Sequence, residues 1–243
     1  MHRDLCLCVP MAKFNITDFN VPELIADLYE PLTREQRLRL RANFNLRVYK
    51  KNEIVHRESD VPKQLYCLLT GKVKIFKEGV GGRNQIIRMI KPVEYFGYRA
   101  FFSKELYVNA AAAVESSVIC SIPLNLISEL VKDNNDLACF FIRNLSDCLG
   151  MADRRTVNLT QKHIRGRLAE SLLFLKESYG VESDNSTLSI YLSREDMANL
   201  SNMTTANAIR TLSQFANEKL ITIDGRKIKL IDEESLRRIS KSG

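Results

Sequence analysis

At 243 residues, 45% of them hydrophobic, the chain has room for one large or two ordinary domains with real cores. Its formal charge of +7 favours an anionic partner, but Lys162 to Gly243 holds 13 Lys and Arg against 11 Asp and Glu, so the excess is not concentrated at the C-terminal end. No run of about eighteen apolar residues occurs, and the opening MHRDLCLCVP is too short in its apolar part for a secretory signal, so a cytoplasmic protein without a membrane partner is expected.

Six cysteines, Cys6, Cys8, Cys67, Cys120, Cys139 and Cys148, include no C-x-x-C pair. Reduced thiols are expected, and no metal site, because zinc and iron-sulfur centres need closely spaced pairs plus further ligands. Met11 directly follows the first ten residues and is an alternative start to Met1.

In chain order, Val21 to Tyr29 and Thr33 to Asn43 read as helices, the second opened by a Thr33/Gln36 capping box. Its arginines 34, 37, 39 and 41 read as a solvated face. From 46 to 122 the pattern turns to short segments rich in Val, Ile, Tyr and Phe, with strands expected near 46–49, 53–56, 65–69, 72–77, 85–90, 107–114 and 117–122. Strands that close together imply a rolled antiparallel barrel able to hold one small ligand.

Helices follow at Leu124 to Lys132 and from Asp136 to about Thr160. In the long one, Leu137, Phe141, Leu145, Cys148, Ala152, Arg155 and Leu159 advance by threes and fours, the seam two parallel helices bury in a homodimer; packing on the chain's own barrel would use part of it. Ile164 to Tyr179 is another amphipathic helix, ended by Gly180.

The stretch LSREDMANLSNMTTANAIRTLSQF, residues 192–215, reads as a helix-turn-helix. Ser193 caps a first helix from about Arg194 to Leu200, and Thr204 caps a second whose inner face is Ala208, Leu212 and Phe215. Thr205, Ala206, Asn207, Ile209 and Arg210 are left for its N-terminal half and outer face. Such a helix enters the major groove of double-stranded DNA by its N-terminus, where Arg pairs with guanine and Asn with adenine. A hairpin at 220–231 forms a wing whose Arg226 and Lys227 reach phosphate. The expected DNA-contacting set is Ser193, Arg194, Thr204, Thr205, Asn207, Arg210, Arg226 and Lys227.

Barrel, long helix and winged helix-turn-helix in this order resemble the Crp/Fnr family of bacterial transcription regulators, over roughly residues 25 to 235. LYCLLTGKVKIF, YFGYRAFF, IRGRLAESLLFL and the helix-turn-helix stretch carry the likeness. The resemblance implies an α+β chain in three parts: an effector-sensing jelly-roll barrel with N-terminal helices (1–135), a dimerisation helix (136–160) and a winged helix-turn-helix (161–243). It also implies a homodimer that reads a palindromic operator, works with RNA polymerase, and answers to a small effector.

Two departures qualify it. The family's Ser-Arg-Glu-x-x-x-Arg falls on Thr204, Thr205, Ala206 and Arg210, so a different operator is expected. In cyclic-nucleotide-binding members a Glu after Phe-Gly holds the ribose and an Arg-Ser pair the phosphate; here Tyr98, Val108 and Asn109 stand instead. A buried phosphate would lack partners, so cyclic AMP is not expected at the effector pocket of Phe96, Gly97, Tyr98, Arg99, Val108 and Asn109.

Cys6 and Cys8 lack the further ligands of the family's iron-sulfur sensors, and His56 and His163 are the haem-ligand candidates outside the tail. A gas or redox sensor of the same architecture, or a scaffold that lost DNA binding, are the alternatives. An enzyme is not expected: a metal-dependent barrel needs several converging histidines, and the chain has three, with no nucleophile elbow, P-loop or dinucleotide fingerprint.

Overall fold

The computed structural model describes residues 19–242. Cys6, Cys8 and the choice between Met1 and Met11 lie outside them. Three short helices come first: α1 (Val21–Leu24), α2 (Ala26–Tyr29) and α3 (Arg34–Arg41). The capping box of α3 forms in both directions, Thr33 accepting from the Gln36 amide and Gln36 from the Thr33 amide. Arg37 and Arg39 are not merely solvated, for Arg37 donates to the Tyr29 and Glu30 carbonyls and Arg39 to Glu129.

Eight strands then roll into two antiparallel sheets: β1 (Asn45–Tyr49), β2 (Ile54–His56), β3 (Gln64–Thr70), β4 (Val73–Glu78), β5 (Asn84–Ile90), β6 (Tyr95–Phe96), β7 (Ala110–Ala113) and β8 (Ser117–Pro123). The orders are β1-β8-β3-β6 and β2-β7-β4-β5. A four-residue helix, α4 (Arg99–Phe102), interrupts the run between β6 and β7. The inner strands β3 and β8 of the first sheet are buried on both faces, which is why β3 reads QLYCLLT with no polar alternation. Leu65, Cys67 and Leu69 face the helices, while Leu68 faces the other sheet with Val73, Ile75, Phe96 and Ile119.

Helix α5 (Leu124–Lys132) leads into the 27-residue α6 (Asn135–Gln161). The rest is a compact unit of α7 (Ile164–Tyr179), α8 (Arg194–Leu200), α9 (Thr205–Asn217), the hairpin β9 (Ile221–Asp224) and β10 (Lys227–Leu230), and α10 (Glu233–Ser242). Its core joins Leu172, Met197, Leu212, Phe215, Ile228 and Leu236. Helix α10 was not expected from the sequence. Asp232 accepts the Ser235 amide at 2.9 Å to start it, and Leu236 is fully buried, so its arginines ride on a packed helix.

No helix among the described residues is long and apolar enough to cross a membrane. The C-terminal unit is tied to the barrel in the same chain. Lys74 of β4 pairs with Asp196 of α8, Gln85 donates to the Asn199 carbonyl at 2.8 Å, and Arg83 to Asn202 at 3.2 Å. Ile86 and Met89 of β5 and Val114 enter the C-terminal core.

Candidate nucleic-acid interface

The two helices of the motif form where their caps dictate. Ser193 accepts the Asp196 amide at 2.9 Å and donates to its carboxylate at 2.8 Å. Thr204 accepts the Asn207 amide at 3.2 Å. Both hydroxyls are thus engaged in holding helix ends. Helix α9 buries Ala208, Thr211, Leu212 and Phe215, and turns Thr205, Ala206, Ile209, Arg210 and Ser213 to solvent. Among the described residues Arg210 has no hydrogen-bond or ion-pair partner, so its guanidinium is available to a ligand outside the chain. Asn207 is half-buried.

The wing follows α9 in the chain and is braced on α8. Its register pairs Lys227 with Asp224, leaving Gly225 and Arg226 as a two-residue turn. Gly225 has φ +54°, the left-handed conformation such a turn demands. Arg194, expected as a DNA contact, instead donates to the Gly225 carbonyl at 2.7 Å and braces the turn against α8. Arg226 is exposed. Lys227 lies 3.7 Å from Glu182, with its ammonium 5.5 Å from the Tyr191 ring, a loose tether on an exposed side chain. The geometry is an exposed helix with an unpartnered arginine, and a basic hairpin tip braced on α8 of the same two-helix unit. A surface of that shape can enter a DNA groove.

Comparison with known proteins matches two family models, the cyclic nucleotide-binding domain over residues 46–134 and the Crp-like helix-turn-helix domain over residues 166–239. The chain belongs to the Crp/Fnr family of transcription regulators. Among relatives of this Crp/Fnr member is the CRP-like cAMP-activated global transcriptional regulator of Mycobacterium tuberculosis, 22% identical over 191 residues that cover 78% of this chain and 85% of the relative. Another is the transcriptional activator protein Anr of Pseudomonas protegens, 23% identical over 229 residues, 93% of this chain and 85% of the relative. The solved structure of FixK2 from Bradyrhizobium japonicum has the same fold, with a TM-score of 0.73 at 22% identity over 81% of this chain and 96% of that one. Like its family, this Crp/Fnr protein is a DNA-binding transcription regulator.

The six pocket residues expected in this Crp/Fnr barrel do not converge. Phe96 points between the sheets and stacks on Tyr66 at 5.2 Å. Gly97, at φ +87°, has no room for a side chain, since a Cβ there would meet the Tyr66 ring at 2.7 Å. Tyr98 points the other way and is buried against α6, its ring 5.3 Å from that of Phe141. Arg99 is an exposed partner of Glu105 at 3.0 Å, and Val108 is 43% exposed. Asn109 is half-buried. Phe96 and Tyr98, two apart, would share a face in a continuing strand, and the split arises because the chain leaves β6 at Gly97 with φ +87°.

Of the haem-ligand candidates, His163 is exposed, whereas His56 is buried and lies flat on Tyr107 at 3.9 Å. His56 Nδ1 and the Tyr107 hydroxyl are buried with no hydrogen-bond partner. Among the described residues no group of three or more His, Cys, Asp or Glu is placed to hold a metal ion. Burial pushes the His56 imidazole down from 6.5 to about 4. A depressed folded-state value means the unfolded chain takes up the proton first. The stability His56 contributes is therefore full above about pH 6.5 and is lost as pH falls toward 4. Acid unfolding followed by circular dichroism should be shallower across that window for His56→Phe; equal slopes in both proteins would disprove the assignment.

The expected dimer seam falls largely on the inner side of α6. Leu137 and Phe141 are buried beneath the barrel with Phe140 and Tyr95. Cys148 accepts from Arg88 at 3.0 Å. Arg155 donates one guanidinium nitrogen to the Ile86 carbonyl at 2.6 Å and the Leu200 carbonyl at 2.7 Å, joining α6, β5 and α8. Burial pulls Arg155 down to about 10, so it stays charged at neutral pH. Leu145 and Leu159 are half-buried and Ala152 is exposed, at the border of that inner face. The apolar side chains left to solvent on the other side are Ile142 (62% exposed), Leu149 (64%) and Val157 (49%). A periodicity of threes and fours fits either face of a helix that has two, and the sequence picked the one nearest its own barrel.

Proposed function

We propose that this regulator is a homodimer that sets the outer faces of two α9 helices in successive major grooves of a palindromic operator. One observation carries this reading: Arg210 stands exposed and unpartnered on the outer face of α9. Thr205 and Asn207 flank it at the groove, while Ser193, Thr204 and Arg194 act by fixing helix ends and wing. The division is residues 1–135 for sensing, 136–160 for dimerisation and 161–243 for DNA. The bound dimer acts on RNA polymerase in the cytoplasm.

The line Ile142, Leu149 and Val157, spaced seven and eight, supports the dimer. Ser146, Thr156 and Thr160 donate to carbonyls of their own helix, so burying them leaves no hydroxyl proton unpaired. Mobility shift on the DNA upstream of its own gene tests the reading. Binding should prefer particular sequences and weaken steeply with salt; binding without preference would refute it. Replacing Arg226 and Lys227 with Ala should weaken binding to all sequences alike and reduce the salt slope by up to about two. A changed consensus would count against a phosphate role.

The effector is a small molecule other than cyclic AMP. Tyr98 fills the space beside α6, and Val108 and Asn109 offer no cation to a phosphate. Titration calorimetry with cyclic AMP should give no saturable heat, and micromolar binding would overturn this part.

A further inference from the structure

The outward surface of α9 divides lengthwise. Thr205 and Ile209, four apart, run along one edge, while Asn207, Arg210 and Gln214 run along the other, with Ala206 between them. Ile209 is 47% exposed and is not among the residues α9 buries. Two of the hydroxyls nearby are engaged, for Thr204 caps the helix and Ser213 donates to the Ile209 carbonyl at 3.0 Å, while the Thr205 hydroxyl is exposed one turn before Ile209. The helix carries no carboxylate before Glu218, and its sole cation is Arg210. The outward surface therefore carries an arginine edge and, beside it, an edge on which Ile209 is the large apolar group. The one apolar group that a base displays in the major groove of unmodified DNA is the thymine 5-methyl.

We propose that Ile209, with Ala206 beside it, is a specificity-determining residue that packs on a thymine methyl in each half-site, next to the base pair held by Arg210. This rests on the reading of α9 as the helix that enters the groove. It gives the departure at 206 a positive content: where the family's glutamate is missing, the face is apolar and selects a different base.

The test begins with selection of duplexes from a random synthetic pool. Protein is kept at micromolar concentration, so that a state weakened by lack of effector is still captured; coupling of that kind is typically 5–150-fold. Each thymine of the selected operator is then replaced in turn by deoxyuridine, which deletes the methyl and nothing else. At one position per half-site the wild-type protein should lose about fourfold, the worth of one buried methyl. Ile209→Ala should lose that discrimination while keeping the preference due to Arg210. A preferred operator whose thymines all tolerate deoxyuridine, or an Ile209→Ala protein with wild-type discrimination, would overturn this proposal alone. A pool that yields no preferred sequence would overturn the reading of α9 and this proposal with it.

Discussion

Replacing Arg210 with Ala should lower affinity for the operator by about 1–3 kcal/mol per half-site and flatten the preference at one base pair in each. Its guanidinium is the sole long cation on the outer face of α9, and no neighbour in the chain can substitute for it. Because Arg210 is exposed and unpartnered, the folded protein loses nothing when the side chain is cut back. The thermal midpoint should stay put while binding falls. Competition with all four bases at every operator position reads the result. Arg210→Lys is the sharper control: it keeps the charge but cannot make the two-pronged contact, so it should recover non-specific affinity without the base preference. A mutant that discriminates as the wild type does would assign the reading to another residue.

Leu149→Glu should leave a monomer. Leu149 is the most exposed large apolar residue of α6, and a two-fold interface centred there would bury two carboxylates at once, each facing the other. An uncompensated buried charge costs about 3–5 kcal/mol, enough to weaken the dimer by about a hundredfold or more. Specific binding should fall with it, since a monomer reaches one half-site only. Arg143→Glu, an exposed change on another side of the same helix, should sediment as the wild type. A Leu149→Glu protein that remains a dimer would move the interface elsewhere.

Local signals were legible in the sequence where a side chain speaks to its own backbone. Ser193, Thr204 and the Thr33/Gln36 pair announce their helices, and the bounds of α5, α7 and α8 follow the periodicity. The strands fell close to place because β3 and β8 are apolar on both faces. Short elements escaped: β6 and α4 are two and four residues long, below the length at which any period can show. Helix α10 had its signal in Asp232, Leu236 and Ile239, but its charges masked it.

At the candidate site, Arg210 and the wing tip were readable, since position within a helix-turn-helix decides exposure. That Arg194 braces the wing was not, because its partner lies 31 residues away. Nor was the Lys74–Asp196 contact, which spans 122 residues and depends on how two folded units meet. The direction of the pocket residues was likewise beyond a linear pattern: Tyr98 faces α6 only because the chain leaves β6 at a glycine with φ +87°.

The joint at Arg155 has a consequence for how this regulator tolerates genetic change. Both of its acceptors are main-chain oxygens, of Ile86 and Leu200. Every amino acid brings the same carbonyl, so replacements at those two sites leave the acceptors in place, provided the backbone holds. Only the third corner of the junction is written in a side chain. The Arg155 joint is therefore insured against drift at two of its three ends, whereas the Lys74–Asp196 pair that also ties the barrel to the C-terminal unit depends on a side chain at each end.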